Sequence, residues 1–202
     1  MRKYFIKFFL LLLLFSFNSL AALGPDELVK KTAEDVIFAI KADQEIQKGN
    51  KEKIYKLAEE KILPNFDFNK VARLVLGRAW RSANEEQKQA FIKEFRTLLL
   101  KTYAVALSKY KDQEIKFKPT RMSGAEEIVI VKSEIVQSGS QPIRVNYALS
   151  QSSGKWLVFD IVIEGVSLVT NYRSQFSSEI RRNGMDALIN KLVKKNKGKG
   201  KD

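Results

Sequence analysis

GKWLVFDIVIEGVSLVTNYRSQF, residues Gly154 to Phe176, begins as a strand and ends as a helix. Up to Ile163 the odd positions Leu157, Phe159, Ile161 and Ile163 are all apolar, the two-residue period that puts side chains on one side of an extended chain. The even positions, Trp156, Val158, Asp160, Val162 and Glu164, are mixed, so the odd face is expected to point inward. Only Glu164 and Gly165 interrupt the apolar run before Val166, Leu168 and Val169 resume it. From there Val169, Tyr172, Phe176 and Ile180 recur at helical spacing, and Asn183-Gly184 is a helix stop. A sheet that hands over to a helix with almost no polar turn presents a nearly continuous apolar wall. What that wall faces is the question the sequence poses.

Upstream the two-residue period continues. Ile115 and Phe117 alternate with Glu114, Lys116 and Lys118, and Ile143, Val145, Tyr147 and Leu149 alternate with Arg144, Asn146 and Ser150. The segments Glu126 to Val136 and Lys155 to Glu164 complete four strands, with turn signals at SGSQP and SSG. Hairpins of this kind make an antiparallel sheet with one face on a core. Before it the period is helical. Pro25 suits the first turn of a helix carrying Val29, Ala33, Val36, Ile37 and Ile40, and a second helix from Lys51 carries Ile54, Tyr55, Ala58 and Ile62 until Pro64 stops it. Asp67 is an N-cap candidate for a third, with Phe66 and Val71 spaced as a hydrophobic staple. A fourth is expected from a capping box at Ser82 and Glu85 as far as Tyr110. Its apolar stripe of Phe91, Phe95, Leu98, Tyr103 and Leu107 is widened by Ile92, Leu99, Leu100 and Ala106, which implies contact on more than one side. A last helix holds Leu188, Ile189, Leu192 and Val193. The expected fold class is α+β: a four-stranded antiparallel sheet packed against a multi-helix layer.

The chain ends are read separately. Arg2, Lys3 and Lys7 precede the apolar run from Phe8 to Phe17, and Ser19-Leu20-Ala21 is a small-x-small cleavage site, which together make a secretory signal over residues 1–21. The apolar run is about half the length a spanning helix needs. The mature chain is expected to begin near Ala22, to be soluble, and to form one domain over residues 22–193, followed by a disordered Lys/Gly tail over 194–202. Losing the three basic residues of the signal lowers the formal charge from +13 to +10. By charge alone that suits nucleic acid or an anionic lipid surface, and export argues against nucleic acid. There is no cysteine and no histidine. Their absence removes Ser-His-Asp and Cys-His nucleophilic machinery and the zinc or copper sites built on imidazole or thiolate, so no metal site, no cofactor and no enzymatic activity are expected.

Whether the apolar wall encloses anything is left open by periodicity, which shows which side chains point inward and not whether they touch. A close-packed core and a cavity for an apolar ligand both fit. Two blocks carry further information: LPNFDFNKVARLVLGRAWRSANEEQKQAFIKEFRTLLLKTYAVAL, Leu63 to Leu107, and VFDIVIEGVSLVTNYRSQFSSEIRRNGMDALINKL, Val158 to Leu192. In order and spacing they resemble the MlaC family of periplasmic phospholipid-shuttle proteins, also called the toluene-tolerance auxiliary component family. The segment before Pro64, the strand from Glu126 to Val136 and the Lys-rich tail depart from the family pattern.

The resemblance implies a periplasmic carrier, expected to be monomeric, whose cargo is a glycerophospholipid held by its acyl chains in an apolar cavity. It also implies exchange between an outer-membrane lipoprotein complex and an inner-membrane ABC transporter complex with an MCE-type domain. The acyl contacts it implies are Leu74, Val75, Phe95, Leu99, Tyr103 and Leu107 from the helices, Val145, Tyr147, Phe159, Ile161 and Ile163 from the sheet, and Val166, Leu168 and Val169 at the handover, with Arg144, Tyr172 and Arg173 at the mouth. The guanidinium groups suit phosphate, and surface ion pairs are an equal reading of them. Asp160 and Glu164 have the look of a paired-carboxylate site but read better as a salt-bridged or solvated strand face. A module that bridges envelope proteins without carrying lipid is the alternative function.

Overall fold

The structure is a computed structural model and describes residues 23–120 and 127–198. The signal segment, Glu126 and the end of the Lys/Gly tail lie outside the described residues.

Helix α1, Pro25–Ala42, starts on its proline and buries Val29, Val36 and Ile40. The single turn α2, Gln44–Gln47, leads to α3, Lys51–Lys61, whose Asn50 cap accepts from Lys53 N. After the 3₁₀ turn Leu63–Asn65, Asp67 Oδ1 caps α4, Phe68–Leu76, by accepting from Lys70 N at 2.9 Å, as the sequence implies. The short α5, Ala79–Ser82, then takes up Ser82, whose Oγ donates to the Ala79 carbonyl. The capping box of α6, Glu85–Tyr103, therefore belongs to Asn84 and Gln87, two residues later than expected. Nor does α6 reach Tyr110. From Ala104 to Lys109 the chain winds as a 3₁₀ helix, in which Ser108 Oγ donates to the Val105 carbonyl three residues back.

The sheet has five antiparallel strands among the described residues, in sequence order, and not four: β1 Glu114–Phe117, β2 Ile128–Val136, β3 Ile143–Ser152, β4 Lys155–Ile163 and β5 Val166–Ser167. The extra strand sits inside the stretch from Gly154 to Phe176. Glu164 and Gly165 both have positive φ, 49° and 82°, and form a two-residue hairpin that pairs Ile163 with Val166 and Val162 with Ser167. A strand of two residues has no period, so patterning alone leads straight from β4 into a helix. A second correction concerns parity. Leu149 pairs with Val158 and Ala148 with Asp160, which leaves Phe159 as a bulge. Before the bulge it is Trp156 and Val158 that point to the inner face, packed with Val129, Val131 and Leu149; after it, the inward positions are Ile161 and Ile163. The odd face is therefore not continuous, and Phe159 packs on the opposite side, against the helices.

Helices α7, Leu168–Asn183, and α8, Met185–Gly198, complete the chain. The latter runs past the Val193 boundary: Asn196 is buried, donating through Nδ2 to the carbonyl and Oε2 of Glu94, while Lys101 Nζ donates to its carbonyl. Residues 194–198 thus pack as helix because one amide in the polar run is buried. α4, α6, α7 and α8 enclose an aromatic core in which Phe95 meets Phe91, Tyr172 and Phe176 at ring-centroid distances of 5.4, 5.0 and 5.5 Å. Two further apolar clusters lie between α1 and the sheet and between α1, α3 and the end of α6.

The start of α7 is fastened to the sheet by one carboxylate. Asp160 Oδ2 accepts from Ser167 Oγ at 2.6 Å and Oδ1 from Val169 N at 3.0 Å, while Ser167 Oγ accepts from Thr170 N. Asp160 is half-buried and acts as a helix-start clamp, with no ion pair among the described residues. Replacing it with alanine leaves those donors short of an acceptor, and the expected cost is about 1–3 kcal/mol. Thermal unfolding checks this; an unchanged midpoint would contradict the clamp.

Candidate functional site

The inner face of the sheet does not close onto the helices along its whole length. Between α1, α3, the 3₁₀ segment after α6 and the inward residues of β3 and β4 lies a pocket of about 610 Å³. Its helical wall carries Ala33, Ala58, Ala104 and Ala106 beside the larger Leu28, Val36 and Ile37. Four of these side chains are single methyl groups, which fill less of the space between helices and sheet than branched ones would. The sheet contributes Val145, Tyr147, Ile161 and Ile163, and the first residue of α7, Leu168, lines it as well.

The interior is electrically quiet. No carboxylate lines the pocket, and Lys109 is the one charged side chain among its described lining residues. Thr32 Oγ1 donates to the Leu28 carbonyl and accepts from Asn65 Nδ2, which also donates to the Lys61 carbonyl, so these border groups spend their hydrogen bonds on the protein. Burial pushes the Tyr147 phenol above its ordinary pKa, with a hydrogen bond involving Ser133 acting the other way, so Tyr147 is neutral at physiological pH. Among the described residues, no group of three potential ligands could hold a metal ion. The arrangement suits enclosure of apolar matter.

Eight of the expected contacts come together here: Leu99, Tyr103, Leu107, Val145, Tyr147, Ile161, Ile163 and Leu168. The others lie elsewhere. Val75 and Phe95 are buried in the helical core, Leu74 sits half-buried on α4 away from the pocket, and Val169 and Phe159 pack against the same helical core. Val166 is 57% exposed on the edge strand, with its two-residue pairing to β4 as support. None of the three mouth residues lines the pocket. Arg144 is held by Glu164, which accepts from both its backbone N–H and, at 3.2 Å, its Nη2; the backbone hydrogen bond and then the guanidinium lower the Glu164 pKa. Tyr172 belongs to the aromatic core, where burial raises its phenol pKa. The Arg173 guanidinium lies over Gly77.

The sequence reading missed most of the helical wall. Ala33, Val36, Ile37 and Ile40 were visible as the apolar face of α1, yet nothing in their spacing says which compartment they face. The double width of α6 was the useful signal. Phe91, Phe95 and Leu98 enter the helical core, and Leu99, Leu100 and Tyr103 face the pocket.

Known proteins resemble this chain in sequence and in fold. The family model described as MlaC protein matches residues 30–194. The intermembrane phospholipid transport system binding protein MlaC of Haemophilus influenzae is 26% identical over 197 residues, spanning 95% of this chain and 92% of that protein. Toluene tolerance protein ttg2D of Pseudomonas putida is 26% identical over 177 residues, 87% of this chain and 82% of its own. Among solved structures, the phospholipid-binding protein from Ralstonia solanacearum, in complex with a phospholipid, superimposes with a TM-score of 0.81 at 33% identity, covering 87% of this chain and 98% of that one. Among the described residues of the present chain, no helix is long and apolar enough to cross a membrane.

Proposed function

The chain belongs to the MlaC family, and from that premise we propose that it is a soluble periplasmic carrier of glycerophospholipid, without catalytic activity, whose acyl chains occupy the apolar pocket. The observation that carries this reading is the pocket itself: about 610 Å³ of largely apolar space, with Lys109 the one charged side chain among its described lining residues, where a close-packed core would otherwise lie. That volume falls within the roughly 300–1,000 Å³ usual for ligand sites. The named relatives support the cargo class, since one is a phospholipid transport binding protein and another holds a phospholipid.

The physical task is large. Each methylene withdrawn from apolar surroundings costs about 0.8 kcal/mol, so two acyl chains meet a barrier on the order of 20 kcal/mol against free passage through water. A pocket that keeps those methylenes covered removes the barrier. The carrier then works as a monomer between an outer-membrane lipoprotein complex and an inner-membrane ABC transporter complex with an MCE-type domain, and so sustains lipid asymmetry. Protein purified from cells, extracted with organic solvent and analysed by mass spectrometry, is expected to yield about one phospholipid per chain. No phospholipid in the extract would leave a bridging module as the function and overturn the carrier.

A further inference from the structure

A second, smaller recess adjoins the pocket. It measures about 350 Å³ and is lined by Ile40, Lys41, Gln47, Ser108, Tyr110 and Lys111. Ile40 and Tyr110 line both spaces, so the apolar pocket and the recess meet along a shared wall. The Lys41 ammonium lies 5.9 Å from the centre of the Tyr110 ring, and Lys109 lines the apolar pocket next to Tyr110 in the chain. Lysine is thus the charged residue type lining both spaces, and among the described residues no carboxylate lines either.

Neither Lys41 nor Lys111 is in an ion pair among the described residues, and the acid nearest to Lys41 in sequence, Asp43, is held by Lys53 at 2.8 Å. The recess also lies at the C-terminal end of α1, where exposed carbonyl oxygens would repel an anion. Gln47 Nε2 donates to the carbonyls of Ile40 and Lys41, at 3.0 and 3.1 Å, and covers two of them. On the other side, Lys111 N donates to Gln113 Oε1 at 2.8 Å, which fixes the backbone carrying the second ammonium.

We propose that this recess receives the phosphate of the cargo lipid and that Lys41 and Lys111 make the protein selective for anionic over zwitterionic head groups. The proposal rests on the carrier reading and adds the place and chemistry of the polar end. Acyl chains in the apolar pocket put their glycerol end past Ile40 and Tyr110, where the phosphate meets two ammonium groups. An ethanolamine or choline head group brings its own cation to the same place and is disfavoured by like charge. Exposed pairs of this kind are individually weak, which sets the expected selectivity at about three- to tenfold.

The test loads the delipidated mature protein from vesicles of equimolar phosphatidylglycerol and phosphatidylethanolamine, then quantifies the lipid bound after reisolation. Wild type is expected to carry phosphatidylglycerol in about three- to tenfold excess. In Lys41→Gln with Lys111→Gln the ratio should fall toward unity at unchanged total lipid, and a charge-matched control, Lys93→Gln with Lys155→Gln, should keep the wild-type ratio. Equal ratios in wild type and the recess variant, or an equal loss in the control, would overturn the proposal while leaving the carrier intact. Absence of any lipid from the wild type would instead bring down the carrier reading and this site with it. Inorganic phosphate supplies the remaining arm: if it binds lipid-loaded and lipid-free protein equally well, the recess is a free-anion site and not a head-group site.

Discussion

An aspartate in place of Ile161 is expected to empty the protein of phospholipid while leaving it folded. Ile161 is half-buried on β4 opposite Tyr147, past the bulge that turns it inward, and its side chain lines the pocket. A carboxylate there has no cation within the lining except Lys109 at the pocket's edge, and an ionised group in apolar surroundings is strongly disfavoured. With acyl chains present it has no water to turn to; in their absence the open space admits water and the charge is tolerated. Extracted phospholipid should fall below about a tenth of the wild-type amount, whereas the unfolding midpoint should drop only about 3–6 °C for the lost packing of one partly buried side chain. Ile161→Leu, which keeps the pocket apolar, should load normally. Full lipid loading of the aspartate variant would remove this pocket as the site.

Phe95→Ala is expected to do the reverse. Phe95 is 2% exposed and touches three other aromatic rings in the helical core, with no face on the pocket. Truncating such a ring typically costs about 3–5 kcal/mol, which in a domain of this size lowers the midpoint by about 10 °C or more. Well below that midpoint the pocket is intact, so phospholipid should remain bound at close to the wild-type ratio. The two variants together separate cavity from core: lipid lost from the alanine variant at an unchanged midpoint would show that the aromatic cluster is part of the ligand site after all.

The contrast between these two residues also shows where sequence reasoning stops. Both were expected to touch lipid, and both were rightly placed inside. Phe95 and Leu99 lie one turn apart on the same helix, yet Phe95 is buried within the packed aromatic cluster while Leu99, packed against that cluster, also lines the open pocket. Spacing along α6 reports that a side chain points inward; it holds nothing about how far away the opposing wall is. Arg144 and Arg173 failed as mouth residues for a related reason. Their charge suits phosphate, but Glu164 holds Arg144 and the Arg173 guanidinium lies beside Gly77 away from the pocket, and those neighbours come from other parts of the chain. Lys41 and Lys111, which carried no motif, line the recess beside the pocket.

The sequence by itself determined the order of the longer helices and strands, the inward face of most of them, and the Asp67 cap. Each of these is a property of one segment, and local periodicity is enough to express it. Tertiary structure alone decided the bulge at Phe159, the fifth strand after Glu164-Gly165, and the division of the apolar surface into a solid core and a pocket. A bulge reverses the facing of every residue before it only because a partner strand holds a different count, and a void exists only as the distance between two walls. Neither quantity belongs to any one stretch of chain, so neither can be read from one.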